Sequence, residues 1–216
     1  MITIYKSVYE TEKPNYISLD KALERIKSGQ QLERINEIRN GDRDQKIKLP
    51  IVLFSGKFAS RKDEDLRQHS GFIVLDFDHI NVPESKKVLA TDKYVHACWV
   101  SPSGDGLKAL VRVTNPDKHR EHFRALCQYF DSQYGLEVDP SGINESRACF
   151  ESYDPELVQN GSSEKFGGMA FEKITEQVAS IGTDTDYSKL YLAACMIRKA
   201  QDGEKHTALL KASILM

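Results

Sequence analysis

The chain has 216 residues, a net charge of −2, 40% apolar and 29% charged residues. This reads as an ordinary globular protein with room for one good-sized domain and a small appendage. No apolar run approaches the roughly 18 residues of a membrane span, and Met1–Ser7 lacks the apolar core of a signal peptide, so a cytoplasmic location without a membrane partner is expected.

In chain order, Ile2–Val8 reads as a first strand. Ser18 is a plausible N-cap for a helix through Lys27 that Gly29 ends. A second helical stretch, Gln31–Arg39, stops at Asn40-Gly41. Pro50–Phe54 is a short strand, and residues 57–70 read as polar loop plus a short helix. The apolar run Phe72–Leu75 has the makings of a strand buried on both faces. A helix near 83–90 and strands at 95–100 and 107–113 follow, the strands joined as a hairpin. Asp117–Tyr134 carries Phe123, Leu126, Cys127, Phe130 and Tyr134 at helical spacing, and Gly135 ends it. Short extended pieces are expected at Leu136–Val138 and Arg147–Glu151. Gly161-Ser162-Ser163 and Gly167-Gly168 read as a linker. Beyond it, Tyr187–Ala200 and Lys205–Leu215 read as two helices. The second runs into Met216 without a cap, as in an N-terminal fragment of a longer protein. The sum is an α+β fold, a mixed sheet with packed helices.

Three segments carry chemistry. Asp76 and Asp78 end the apolar strand, and side chains at i and i+2 point the same way. Two such carboxylates repel and raise each other's pKa unless a cation sits between them. That suits an oxygen-only Mg²⁺ or Mn²⁺ site; a strand simply running into a polar loop is the alternative. The turn Ser101-Pro102-Ser103-Gly104-Asp105-Gly106 precedes a strand with Lys108, Leu110 and Arg112 on one face. Gly104 and Gly106 permit close backbone approach to a ligand, Ser101 and Ser103 offer hydroxyls, and Lys108 is a point charge for phosphate. A plain glycine-rich hairpin is the alternative. Asp139 could bring a third carboxylate, or open a turn with Pro140. Arg147 could bind phosphate bidentately or form a surface ion pair. Lys57 and Arg61 are candidate nucleic-acid contacts, as is Arg112; solvated charges are the alternative. The histidines at 69, 79, 96, 119, 122 and 206 show no metal-ligand spacing and read as structural. The four cysteines lack a C-x-x-C pair, which argues against zinc and a disulfide framework.

An apolar strand ending in Asp-x-Asp, a Ser-x-Ser-Gly-x-Gly-Leu-basic hairpin, and an apolar-Asp with a downstream arginine, in that order, resemble the archaeo-eukaryotic primase superfamily. More closely, the chain resembles the VirE N-terminal-type domain of bacterial, especially Bacteroides-type, mobile elements. Leu49–Gly56, His69–Asp78, Ser101–Lys108, Asp139, Ser146-Arg147 and Ser152–Pro155 carry the likeness, over residues 45–160. The resemblance implies an RRM-like, primase-polymerase-like domain over 1–165 and the start of a helical domain over 170–216. It implies a metal-dependent nucleotidyltransferase in replication of a mobile element. Asp76, Asp78 and Asp139 would be catalytic and hold Mg²⁺ or Mn²⁺. Ser101, Ser103, Gly104, Gly106, Lys108 and Arg147 would bind the nucleoside triphosphate. Single-stranded or primer-template nucleic acid would cross the open face of the sheet, with a helicase in the same polypeptide or operon as a partner. One departure stands out: the superfamily usually has histidine where this chain has Lys108. A catalytically inert nucleic-acid adaptor of the same fold is the alternative. An Asp-x-Asp phosphohydrolase is a further one, although haloacid-dehalogenase-like sites usually continue with Gly-Thr and here His79-Ile80 follows.

Overall fold

The computed structural model of the protein describes residues 1–168, so the two helices expected beyond Tyr187 and the helical unit over 170–216 lie outside the described residues. Strand β1 (Ile2–Tyr5) pairs with β2 (Asn15–Ile17). In helix α1 (Leu19–Ser28), Ser18 accepts from the Lys21 N–H, and Gly29 closes the helix at φ 76°, a conformation that favours glycine. Helix α2 (Leu32–Arg39) and a 3-10 turn over Arg43–Lys48 lead into β3 (Ile51–Leu53). Strands β4 (Gly56–Phe58) and β5 (Leu66–His69) pair antiparallel. Then come β6 (Phe72–Phe77), α3 (Val82–Thr91), β7 (Val95–Val100), β8 (Leu107–Arg112) and α4 (His119–Tyr134). A 3-10 turn over Pro140–Ile143, β9 (Cys149–Phe150) and β10 (Val158–Gln159) complete the order.

The α+β class holds, but the strands divide into two four-stranded sheets, β2-β1-β3-β9 and β10-β7-β8-β6, and the β4-β5 hairpin. All pairings between these strands are antiparallel. Because β8 is antiparallel to both neighbours, β6 and β7 run parallel with β8 inserted between them, a split β-α-β unit bridged by α3. Alternation along β6 sends Ile73, Leu75 and Phe77 into a core with Leu89 of α3 and Phe123, Leu126 and Phe130 of α4. It sends Val74, with Leu110 and Trp99, into a second core against Ile2, Val52, Ala22, Leu23 and Ile26. The sheet face expected to lie open for nucleic acid is therefore covered by the N-terminal sheet and α1; Leu110 and Trp99 are fully buried.

Two further expectations change. Residues 57–70 keep the expected loop, over 59–62, and short helix, a 3-10 turn over Asp63–Asp65, but these are flanked by β4 and β5, which form without apolar alternation because pairing and the Thr3 hydroxyl, bonded to Gly56 C=O and Phe58 N–H, supply the partners. The segment read as a linker is docked through Phe166. Its ring is buried in the α3/α4 core, its N–H donates to Arg112 C=O, and its C=O accepts from Thr114 N–H. No helix among the described residues is long and apolar enough to cross a membrane.

The end of β5 meets the start of α4 through two imidazoles, His69 Nε2 and His119 Nδ1, 2.9 Å apart. Gly71 N–H donates to His69 Nδ1. The His69 proton therefore sits on Nε2 and is given to His119 Nδ1, which leaves the His119 proton on a buried, unpartnered Nε2. Burial, with His69 next, pushes His119 down to about 3. Unfolded histidine titrates near about 6.5. Between those values the unfolded chain binds more protons, so stability is full above pH 6.5 and falls as pH drops. Denaturant unfolding of the wild type should lose about 1 kcal/mol per pH unit more than His119→Gln between pH 6.5 and 5. Equal slopes for the two proteins would contradict this.

Candidate metal and anion cleft

Strand parity puts Asp76 on the same face of β6 as Val74, at the end where β6 leaves the covering sheet. Asp78 follows two residues on. The third carboxylate arrives along the free edge of β6, where Asp139 N–H donates to Asp76 C=O at 2.8 Å. Asp139 also opens the Pro140–Ile143 turn, accepting from Ser141 N–H at 2.9 Å and Ser141 Oγ at 2.6 Å. Both sequence readings of Asp139 thus describe one residue. One oxygen from each of Asp76, Asp78 and Asp139 lies within 4.8 Å of the others.

Lys108 pairs in register with Asp76 across β6 and β8, and its ammonium contacts Asp76 Oδ2. The Lys108 side chain is 9% exposed. Asp76 Oδ1 is buried with no hydrogen-bond partner. Burial, then the neighbouring Asp76 charge, raises the Asp78 carboxyl above its ordinary range. Burial acts the same way on Asp139, but the Ser141 hydrogen bonds, Arg147 and Lys108 outweigh it and leave that carboxyl below its ordinary range.

These groups line a cleft of about 500 Å³ with three more cations, Lys46, Arg61 and Arg147. Arg147 Nη2 donates to Asp139 Oδ2 at 3.2 Å. Its turn is tied down by Asp63, which accepts from Ser146 N–H and Oγ and from Arg120. Lys46 stands 5.6 Å over the Phe150 ring, and Arg61 donates to Val8 C=O at 2.9 Å. Three anions and four cations in one recess can take a cation among the carboxylates and a polyanion beside it.

The rim is built on close backbone approach. A Cβ on Gly106 would lie 2.4 Å from Phe77 O and 3.3 Å from Asp78 Oδ1, so only glycine lets the β7-β8 turn meet the end of β6. His79, directly after Asp78, is at φ 55°, the one positive-φ non-glycine residue among those described.

Other expected residues fall elsewhere. Ser101, Ser103 and Gly104 hold the β7-β8 turn and do not line the cleft. Ser101 N–H donates to Gly106 C=O, Ser101 Oγ meets Ser103 Oγ, and Ser103 Oγ donates to Asp105 at 2.5 Å. Arg112 sits at the opposite end of β8, across from Phe72, with its guanidinium 5.9 Å from that ring. Lys57 stands over Tyr16 at 4.8 Å and does not line the cleft. Of the three proposed nucleic-acid contacts, Arg61 alone does. Lys46, Ser141 and Asn144 line it without having been singled out for a role. For Ser141 the signal was present: a hydroxyl two residues after an aspartate forms a local turn with it.

A family model for the BT4734-like, N-terminal domain matches residues 44–158, more than half of the chain, and the chain belongs to this family. The three carboxylates and four cations of the cleft all fall inside the matched span. No curated protein and no solved structure matches the chain.

Gly106→Ala should push the β7-β8 turn away from Asp78 and cost about 1–3 kcal/mol. Gly161→Ala, whose added Cβ meets nothing within 4 Å, should stay within about 0.5 kcal/mol of wild type. Equal thermal stability of the two variants would refute the packing argument.

Proposed function

We propose that this domain is the metal-dependent nucleotidyltransferase of a primase or primase-polymerase. The observation that carries the reading is the convergence of Asp76, Asp78 and Asp139 within 4.8 Å in a cleft that also holds Lys46, Arg61, Lys108 and Arg147. The residues fit Mg²⁺ or Mn²⁺: the donors are all oxygens, and Asp76 Oδ1 is buried without a partner. When bound, such an ion would polarise phosphoryl oxygens and favour the alkoxide form of an attacking 3′-hydroxyl. The protein's own residues do the positioning. Arg147, fixed through Asp139 and the Asp63-held turn, presents a guanidinium to a triphosphate, with Lys46 and Arg61 as flanking charges.

The β6-α3-β7-β8-α4 unit, with β8 between β6 and β7, supports an RRM-like, primase-polymerase core, and the likeness to VirE N-terminal-type domains agrees with it. On this reading a primer-template or single strand reaches the carboxylates through the cleft mouth near Arg61 rather than across the covered sheet face. The partners are nucleoside triphosphates and a helicase of the same polypeptide or operon, and the setting is cytoplasmic replication of a mobile element. A second reading, an inert nucleic-acid adaptor, is favoured by one observation: Lys108 already occupies an Asp76 oxygen where the superfamily has a histidine.

Primer-extension and primer-free synthesis assays in Mn²⁺ or Mg²⁺ test the proposal. The wild type should incorporate nucleotides, and Asp76→Asn or Asp139→Asn should lower the rate at least about 100-fold. Retained single-strand binding without any incorporation would instead establish the adaptor.

A further inference from the structure

Lys108 does more than sit near the carboxylates. It is buried, its ammonium is committed to Asp76 Oδ2, and the other Asp76 oxygen has no partner. A divalent ion drawn to Asp76, Asp78 and Asp139 would meet this ammonium on one of its own ligands, and the two cations would repel each other across that carboxylate and compete for its charge. Lys108 lines the same cleft as three further cations, Lys46, Arg61 and Arg147, so a displaced ammonium there would need a bound polyanion to offset their repulsion.

We infer that Lys108 is a resident counter-ion: it neutralises Asp76 in the ion-free protein, yields that carboxylate when a divalent cation binds, and then faces the anion side of the cleft. The inference rests on the proposed metal site but concerns the coupling within it. Metal binding creates the fourth charge of the anion subsite, so cation and polyphosphate bind cooperatively, each strengthening the other.

Lysine acylation followed by mass spectrometry reads this directly on the full chain, with Mn²⁺ and inorganic pyrophosphate as probes and calorimetry recording Mn²⁺ binding. An amine held against a carboxylate in a buried pair reacts slowly, and a released one reacts faster. Labelling of Lys108 should rise at least about threefold when Mn²⁺ binds and fall again when pyrophosphate is added. Asp139→Asn should abolish the Mn²⁺-induced rise, and Asp76→Asn should leave Lys108 labelled without any ion. Calorimetric Mn²⁺ binding with unchanged Lys108 labelling would overturn the counter-ion role and leave the metal site standing. Absence of Mn²⁺ binding would remove both.

Discussion

Three carboxylates converge here within a space that would repel them apart if nothing intervened. At a partly buried site, like charges a few ångströms apart cost on the order of a few kcal/mol per pair. The protein meets that cost with Lys108, placed by strand register opposite Asp76, and with Arg147 on Asp139. Asp78, which no cation contacts as closely, is left with a carboxyl raised above its ordinary range by burial first and by the Asp76 charge second. The balance is incomplete by design of the sheet: one Asp76 oxygen stays without a partner, which is the kind of gap a divalent ion fills.

The rest of the structure serves that convergence. β6 ends one sheet, so its outer edge is free to receive Asp139 through a backbone hydrogen bond. The face of β6 that carries Asp76 is covered by the N-terminal sheet over most of its length, so the carboxylates emerge where cover stops. The same N-terminal sheet, through β3 and β9, delivers Arg147 and Phe150 to the cleft wall. Asp63 and Arg120 brace the turn before Arg147 from two other elements. Loss of cover or brace would leave the residues present but unaligned.

Much of this was legible in the chain. The continuous apolar run with its Asp-x-Asp ending identified β6, and strand parity the facing of its acids. The glycine-rich turn identified the β7-β8 hairpin, and helical spacing identified α4 almost to the residue. What escaped depends on contacts between distant residues. β4 and β5 are too polar to announce themselves and rely on pairing and on Thr3. The cover over Val74 and Leu110 comes from Ile2, Val52 and helix α1, none of them a local neighbour in sequence. Lys46 lies in an irregular 3-10 turn whose place beside Phe150 no local pattern encodes. Ser101 and Ser103 looked available because a sequence shows hydroxyls but not the partners that consume them.

The account turns on whether the three carboxylates bind one ion together. Anomalous diffraction from crystals grown in Mn²⁺ answers this without reference to activity. The account predicts a manganese peak about 2.2 Å from oxygens of Asp76, Asp78 and Asp139, with the Lys108 ammonium moved off Asp76. No peak among these aspartates at millimolar Mn²⁺, with Lys108 still on Asp76, would contradict it.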